Sequence, residues 1–263
     1  MRIAVISDIH ANVEALRAVL RGIRRTGIRK VHCLGDLVGR HAFPVETLAL
    51  LRAGGTSCVA GNQDLVAIGR LDADTWEPRT RRAMSWTRHH LTPPDTEFLS
   101  ALPLATRIGA DLLCVHSTMD NVAVDLSLPW QFYEESLAIR RRFPDVRVCF
   151  SGHTPNPQIV EITAGGEVFM RGARPMHLDP ASFYFVNPGS VGSPTDGDYR
   201  ACYAIYDDVT RRVSFHRTTY DRLRVVQENL RQGLPSELGI SRVGYIRARA
   251  VAAARSIRTR IFA

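Results

Sequence analysis

A unit in which a short β-branched apolar run gives way to a segment with helical spacing recurs along this chain and narrows the folds open to it. Residues Ile3 to Ser7 form such a run, and Asn12 then opens a segment with Val13, Leu16, Val19, Leu20 and Ile23 on one helical face. The unit recurs with a strand over Val31 to Gly35, a helix over Pro44 to Arg52 and a strand over Ser57 to Ala60. Alternation of this kind predicts βαβ units and a parallel sheet. Between Leu65 and Leu102 the strand signal stops, and Arg-rich helical segments punctuated by Pro78, Pro93 and Pro94 predict a helical excursion over about 65–105. Strands return at Leu112 to His116 and Arg147 to Ser151, separated by a helix over Gln131 to Arg142. These complete a parallel half.

After His153 the pattern changes to short strands around tight turns, such as Ile159 to Thr163 and Glu167 to Met170 across Gly165 and Gly166. Phe183 to Val186, Cys202 to Tyr206 and Val213 to Arg217 continue it, predicting an antiparallel half. No internal repeat and no low-complexity linker divides the chain. We therefore expect one domain over 1–220, with 221–263 as a basic helical C-terminal extension of it. That extension holds nine arginines against Asp221, Glu228 and Glu237, so it carries most of the formal charge of +8. Its near-helical apolar spacing from Val243 to Ile261 predicts an amphipathic helix packed on the body rather than a nucleic-acid arm. No apolar run reaches the roughly 18 residues of a membrane helix. Five cysteines without CxxC spacing sit mostly in apolar stretches, so we expect a cytoplasmic protein with reduced core thiols and no membrane partner.

Side chains with metal-binding chemistry are concentrated where the predicted strands end. Asp8 and His10 follow the first strand, Asp36 the second, Asn62 and Asp64 the third; His116 ends the fourth and His153 follows the fifth. Loops at the carboxyl edge of parallel strands converge on one crevice, the usual ligand position in such sheets. Two aspartates, an asparagine and three histidines make a mixed oxygen and nitrogen set suited to Mn, Fe, Zn, Co or Ni, and one bridging carboxylate lets it hold two cations. Two adjacent cations clamp a phosphoryl group and acidify a bridging water, which points to phosphoester hydrolysis.

The segments SDIH, GDLVG, GNQD, VHS and SGHT, in this order and spacing, resemble the calcineurin-like metallophosphoesterase family. The likeness is closest to the small bacterial phosphodiesterase branch related to diadenosine tetraphosphatases, whose members also tend to carry the NPGSVG stretch seen at Asn187 to Gly192. It covers roughly Met1 to Tyr220. The resemblance implies a four-layer α/β/β/α sandwich with two mixed sheets and helices outside. It implies two divalent metal ions, with Asp8 and His10 on the first, Asp36 bridging both, and Asn62, His116 and His153 completing the second. A hydroxide bridging the ions would attack a phosphodiester, phosphomonoester or nucleotide; a catalytically weak relative that binds a phosphorylated ligand or partner is the alternative.

Two positions depart from the family pattern. Where the family has a histidine followed by an acid, this chain has Gln63 and Asp64. Glutamine donates a hydrogen bond but transfers no proton, and loss of a general acid costs about 10² to 10⁴ in rate. Asp64 reads equally as a helix N-cap before Leu65. Where the last motif normally ends in a second histidine, this chain has Pro155. The first site then keeps Asp8, His10 and Asp36, with Asn156, His41 and His177 as possible substitutes. In the loop after Asp36, Arg40 and His41 are candidate phosphate and proton contacts, although a solvated Arg-His pair is the commoner outcome. Asn187 to Gly192 reads most simply as a tight turn between strands.

Overall fold

The computed structural model describes residues 1–235, 238, 239 and 243–246. The first strand, β1 (Arg2–Ile6), leads to α1 (Val13–Arg25), which Asn12 caps by accepting from the Ala15 amide at 3.1 Å. Val13, Leu16, Val19, Leu20 and Ile23 are all buried, as their spacing requires. Next come β2 (Lys30–Cys33), α2 (Pro44–Ala53) and β3 (Ser57–Cys58). The helical excursion consists of α3 (Asn62–Ala67), α4 (Pro78–His90) and α5 (Pro93–Ser100). Proline starts α2, α4 and α5, where its fixed φ suits a first turn whose N–H has no partner.

A strand not expected from sequence, β4 (Ala105–Ile108), then pairs antiparallel with β5 (Leu112–Val115). The helix α6 (Pro129–Arg142) and β6 (Val148–Ser151) follow. The remaining strands are β7 (Gln158–Ile162), β8 (Val168–Gly172), the two-residue β9 (Met176–His177), β10 (Phe183–Asn187), β11 (Ala201–Asp207) and β12 (Arg212–Thr218), with α7 (Arg222–Arg231) after them. Most of the amphipathic helix expected over Val243 to Ile261 lies outside the described residues; 243–246 are helical.

Two six-stranded sheets result, ordered β3-β2-β1-β11-β12-β9 and β4-β5-β6-β10-β7-β8. The division by sheet differs from the expected division into a parallel half and an antiparallel half. The five parallel strands split, with β1, β2 and β3 in one sheet and β5 and β6 in the other. The later strands split too: β10 runs parallel to β6, while β11 runs antiparallel to β1. Apolar periodicity identifies a strand and its faces, but the partner is chosen by packing.

Three apolar clusters define four layers. Ala4 and Ile6 on one face of β1 pack with Leu16, Val19 and Ile23 of α1 and Leu48 of α2. Ile3 and Val5, on the other face, meet Phe150, Tyr184 and Tyr206 between the sheets. Val115, Val160 and Phe185 face Phe132 and Ile139 of α6 on the far side. The molecule is thus an α/β sandwich of two mixed sheets with helices outside. The strands β1, β10 and β11 are buried on both faces, which explains their near-continuous apolar runs. Carboxyl ends of β1, β2 and β3 in one sheet and of β5 and β6 in the other meet at a single edge.

Candidate metal centre

At that edge the loops are stitched to one another by backbone hydrogen bonds. The Asp8 amide donates to Gly35 O at 3.1 Å, the His10 amide to Asp36 O at 2.9 Å and the Gly152 amide to His116 O at 2.7 Å. Asp8, His10, Asp36 and His153 all adopt left-handed φ, between 51° and 66°. Each such residue costs on the order of 1–3 kcal/mol and persists only where its surroundings impose it. Here the stitching imposes it, and these turns carry four of the six expected donors. A Cβ on Gly61 would collide with Asp36 Oδ1, and one on Gly152 with Ser7 Oγ, so glycine precedes Asn62 and His153 because the loops touch there.

The six donors expected from sequence are brought together. His116 Nδ1 lies 2.7 Å from the Leu34 carbonyl, which only accepts, so Nδ1 carries the proton and Nε2 the lone pair. His153 Nε2 lies 3.1 Å from Asp125 Oδ1, so its lone pair is on Nδ1. Those two lone pairs and Asn62 Oδ1 converge: Asn62 Oδ1 is 2.9 Å from His116 Nε2 and 3.1 Å from His153 Nδ1, and the two nitrogens are 3.2 Å apart. No proton lies between any of them. Donors about 2.0–2.1 Å from a shared cation and at right angles around it are about 3 Å apart, so this trio fits a cation better than it fits itself.

Asp36 Oδ1 lies 3.5 Å from His116 Nε2, and ligand atoms of Asp8, Asp36 and His116 all fall within 4.8 Å of one another. Burial, reinforced by the neighbouring Asp8 charge, pushes the Asp36 carboxyl well above the usual carboxylate range. Burial holds the His10 imidazole well below its usual range, with Arg40 adding to the effect. His153 is likewise lowered, by burial and then by His116. Like-charged buried carboxylates beside imidazoles kept neutral form a set short of positive charge.

The other expected pocket is looser. His10 Nε2 is 3.6 Å from Asp8 Oδ1 and His10 Nδ1 is 3.8 Å from Asp36 Oδ2; Nδ1 is buried with no hydrogen-bond partner. With one ring nitrogen towards each carboxylate and Nδ1 orphaned, this imidazole also fits a cation ligand. The three possible substitutes for the missing histidine are engaged elsewhere. Asn156 Oδ1 accepts from Thr195 Oγ1 at 3.4 Å, and His177 pairs with Arg212 at the opposite edge of the sandwich. His41 is locked by bonds to both ring nitrogens.

Gln63 is buried, and its backbone amide donates to Asp36 Oδ1 at 2.9 Å. Its side-chain Oε1 packs against Gly39 without a partner. Asp64 is not the N-cap of α3. It is the third residue of that helix, and its carboxylate accepts from Gly61 at 2.9 Å, Leu37 at 2.9 Å and Val38 at 3.2 Å, bracing one site loop against another. Burial, then the charge of Asp36, pushes it up to about 7.

Arg40 is exposed, but His41 is no solvated loop residue. Its Nδ1 is 2.8 Å from Asn229 Nδ2 of α7 and its Nε2 is 2.9 Å from Ser193 Oγ, and burial with the nearby Arg40 charge lowers it to about 3. Both ring nitrogens are thus engaged within the protein, and burial disfavours the protonated imidazole. The Asn187 to Gly192 stretch buttresses the site. Asn187 Nδ2 donates to Thr154 O at 2.7 Å, Ser190 Oγ to Asp8 O at 2.9 Å, and the amides of residues 189 to 192 all bond within the protein. None of those four amides is left for a phosphate. Asp125 and Asn229 were not singled out by sequence reasoning, and no motif or spacing marks them; Asn187 and Ser190 lie in the NPGSVG stretch, whose buttressing role the reading as a turn did not include.

The family profile of the calcineurin-like phosphoesterase superfamily domain matches residues 1–211. An uncharacterised protein of Methanocaldococcus jannaschii is 32% identical over 248 residues, covering 90% of this chain and 95% of that protein. The crystal structure of a metallophosphoesterase from Sphaerobacter thermophilus is similar with a TM-score of 0.73 at 33% identity, covering 90% of this chain and 97% of that one. A hypothetical protein from Pyrococcus horikoshii OT3 shares the fold with a TM-score of 0.70 at 21% identity, over 90% and 95% of the two chains.

Proposed function

Because this chain belongs to the calcineurin-like phosphoesterase superfamily, we propose that it is a two-metal phosphoesterase hydrolysing a phosphodiester, phosphomonoester or nucleotide. The observation that carries this reading is the convergence of the lone pairs of Asn62, His116 and His153 with no proton between them, beside the buried carboxylates of Asp8 and Asp36. Asp8, His10 and Asp36 would hold one ion, and Asp36, Asn62, His116 and His153 the other. Divalent ions of the Mn, Fe, Zn, Co or Ni kind supply charge neutralisation at the phosphoryl group and a water of lowered pKa.

The chain's own residues set the rest. The backbone N–H of Gln63 holds the Asp36 carboxylate in place. The Gln63 side chain offers the leaving oxygen a hydrogen bond and no proton, so water or substrate provides the proton. Asp64 fixes the loop carrying Asp36. Arg40 stands at the rim for a substrate oxyanion. We place the protein in the cytoplasm, in keeping with five buried, unpaired cysteines; no helix among the described residues is long and apolar enough to cross a membrane. We treat 221–263 as an extension of the 1–220 domain, since Val225 and Val226 of α7 pack on Val13 and Phe43.

Gln63 and Pro155 favour one second reading, a metal-bearing protein that binds a phosphorylated ligand with little turnover. Hydrolysis of bis(p-nitrophenyl) phosphate and p-nitrophenyl phosphate by metal-stripped protein, with single metals restored and bound metal counted, separates the two. Metal-dependent turnover lost in Asp36→Asn and raised by Gln63→His is expected. Absence of turnover at full metal occupancy would leave the binding protein.

A further inference from the structure

A cavity of about 200 Å³ has Arg40, His41, Glu77, Arg79, Ser193 and Thr195 in its lining. Arg40 directly precedes His41, whose backbone amide donates to His10 O at 3.1 Å, and this contact joins the wall of the groove to the cluster. The residue sits in left-handed backbone with φ 55°, and its exposed guanidinium makes no hydrogen bond or ion pair among the described residues. Glu77, by contrast, is 3.8 Å from Arg79 Nε.

A buried chain of hydrogen bonds determines what Ser193 presents to this groove. The Ala42 amide donates to Asn229 Oδ1 at 3.1 Å, which fixes the side-chain amide so that Nδ2 faces His41. Asn229 Nδ2 donates to His41 Nδ1 at 2.8 Å, so the His41 proton is on Nε2. That Nε2–H donates to Ser193 Oγ at 2.9 Å, shared with Gly192 O at 3.2 Å. The Ser193 oxygen therefore accepts from inside the protein, and its own hydrogen is left to donate into the groove. Asn229 is 0% exposed and His41 4%, so solvent does not scramble the relay.

Resting on the phosphoesterase reading, we infer that the groove is a subsite for a second oxyanion of the substrate, carried on the part beyond the reacting phosphoryl group and held by Arg40 and Ser193. A charged guanidinium and a hydroxyl donor whose orientation is already set match an acceptor-rich group, either carboxylate or phosphoryl. Because nothing in the relay must reorganise when the ligand arrives, discrimination appears in binding as well as in turnover.

Non-hydrolysable probes test this without requiring catalysis. Manganese-loaded protein is titrated calorimetrically with phenylphosphonate, para-carboxyphenylphosphonate and benzene-para-diphosphonate. At least one of the two-oxyanion probes should bind about tenfold more tightly than phenylphosphonate, and the larger gain identifies carboxylate or phosphoryl as the preferred partner. The ratio should collapse in Arg40→Met and fall in Ser193→Ala. Equal affinities for the three probes, no binding of any, or an advantage that survives Arg40→Met would overturn the subsite. A retained ratio in a protein without turnover would instead count against the phosphoesterase reading alone.

Discussion

The carboxylate of Asp125 stands 3.1 Å from Nε2 of His153, and this single contact decides that the histidine turns an unprotonated Nδ1 towards Asn62 and His116. Carboxylates behind metal-binding imidazoles typically account for 10- to 100-fold in metal affinity. The Asp125 side chain is 78% exposed, so water screens it and the lower end applies. Asp125→Ala should weaken manganese binding to the metal-free protein about tenfold by calorimetry. Nitrogen NMR of the imidazole should show the Nε2–H form of His153 giving way to a tautomer mixture, a change that general loosening of the loop would not produce.

Asp64 brings a different expectation, because its three accepted hydrogen bonds come from buried backbone amides. Leaving such amides unpaired costs about 1–3 kcal/mol each, less whatever local relaxation recovers. Asp64→Ala should lower the unfolding free energy of the metal-free protein by about 3 kcal/mol or more in urea, and Asp64→Asn by less, since one acceptor oxygen remains. Unchanged stability in Asp64→Ala would mean that the brace is not structural.

The buried His41 also makes stability depend on pH. Its folded-state value of about 3 is below the unfolded value of about 6.5, so between these limits the unfolded chain binds the extra proton. Stability contributed by the neutral imidazole is complete above about pH 6.5 and declines by up to about 1.4 kcal/mol per pH unit as the pH falls towards 3. Urea unfolding of metal-free wild type and His41→Gln, compared between about pH 7 and pH 5, should show a mean slope shallower by about 0.7 of a proton in the variant. Parallel pH profiles would refute the assignment.

The site was legible in the sequence to the extent that its chemistry is local. Each donor follows an apolar run directly, so strand ends could be read and the residues after them grouped. Tertiary partners left no such mark. His41 looks solvated beside Gly39 and Arg40, and its burial comes from Asn229, 188 positions away, and Ser193, 152 away. Asp64 reads as a cap because acids commonly start helices. However, α3 begins at Asn62, whose side chain is drawn to the donor cluster, and the acid falls inside the first turn. The short edge strands β4 and β9 are too brief for a periodic signal. Pairing of β10 with β6 and of β11 with β1 depends on which faces pack across the sandwich, a choice that no single segment encodes.

One edge of β1 is satisfied by β2 and the other by β11, with Val5 opposite both His32 and Ala204. The strand that positions Asp8 is therefore complete only after β11 (Ala201–Asp207) has been synthesised and has folded back. During translation, partial chains can form the α1 and α2 units early, yet they lack the partner that fixes the first strand, and contacts this distant in sequence form slowly. On the two-metal reading proposed above, loading of both sites would be a late event in the life of each molecule, and acquisition of metal would mark the chains that have finished folding.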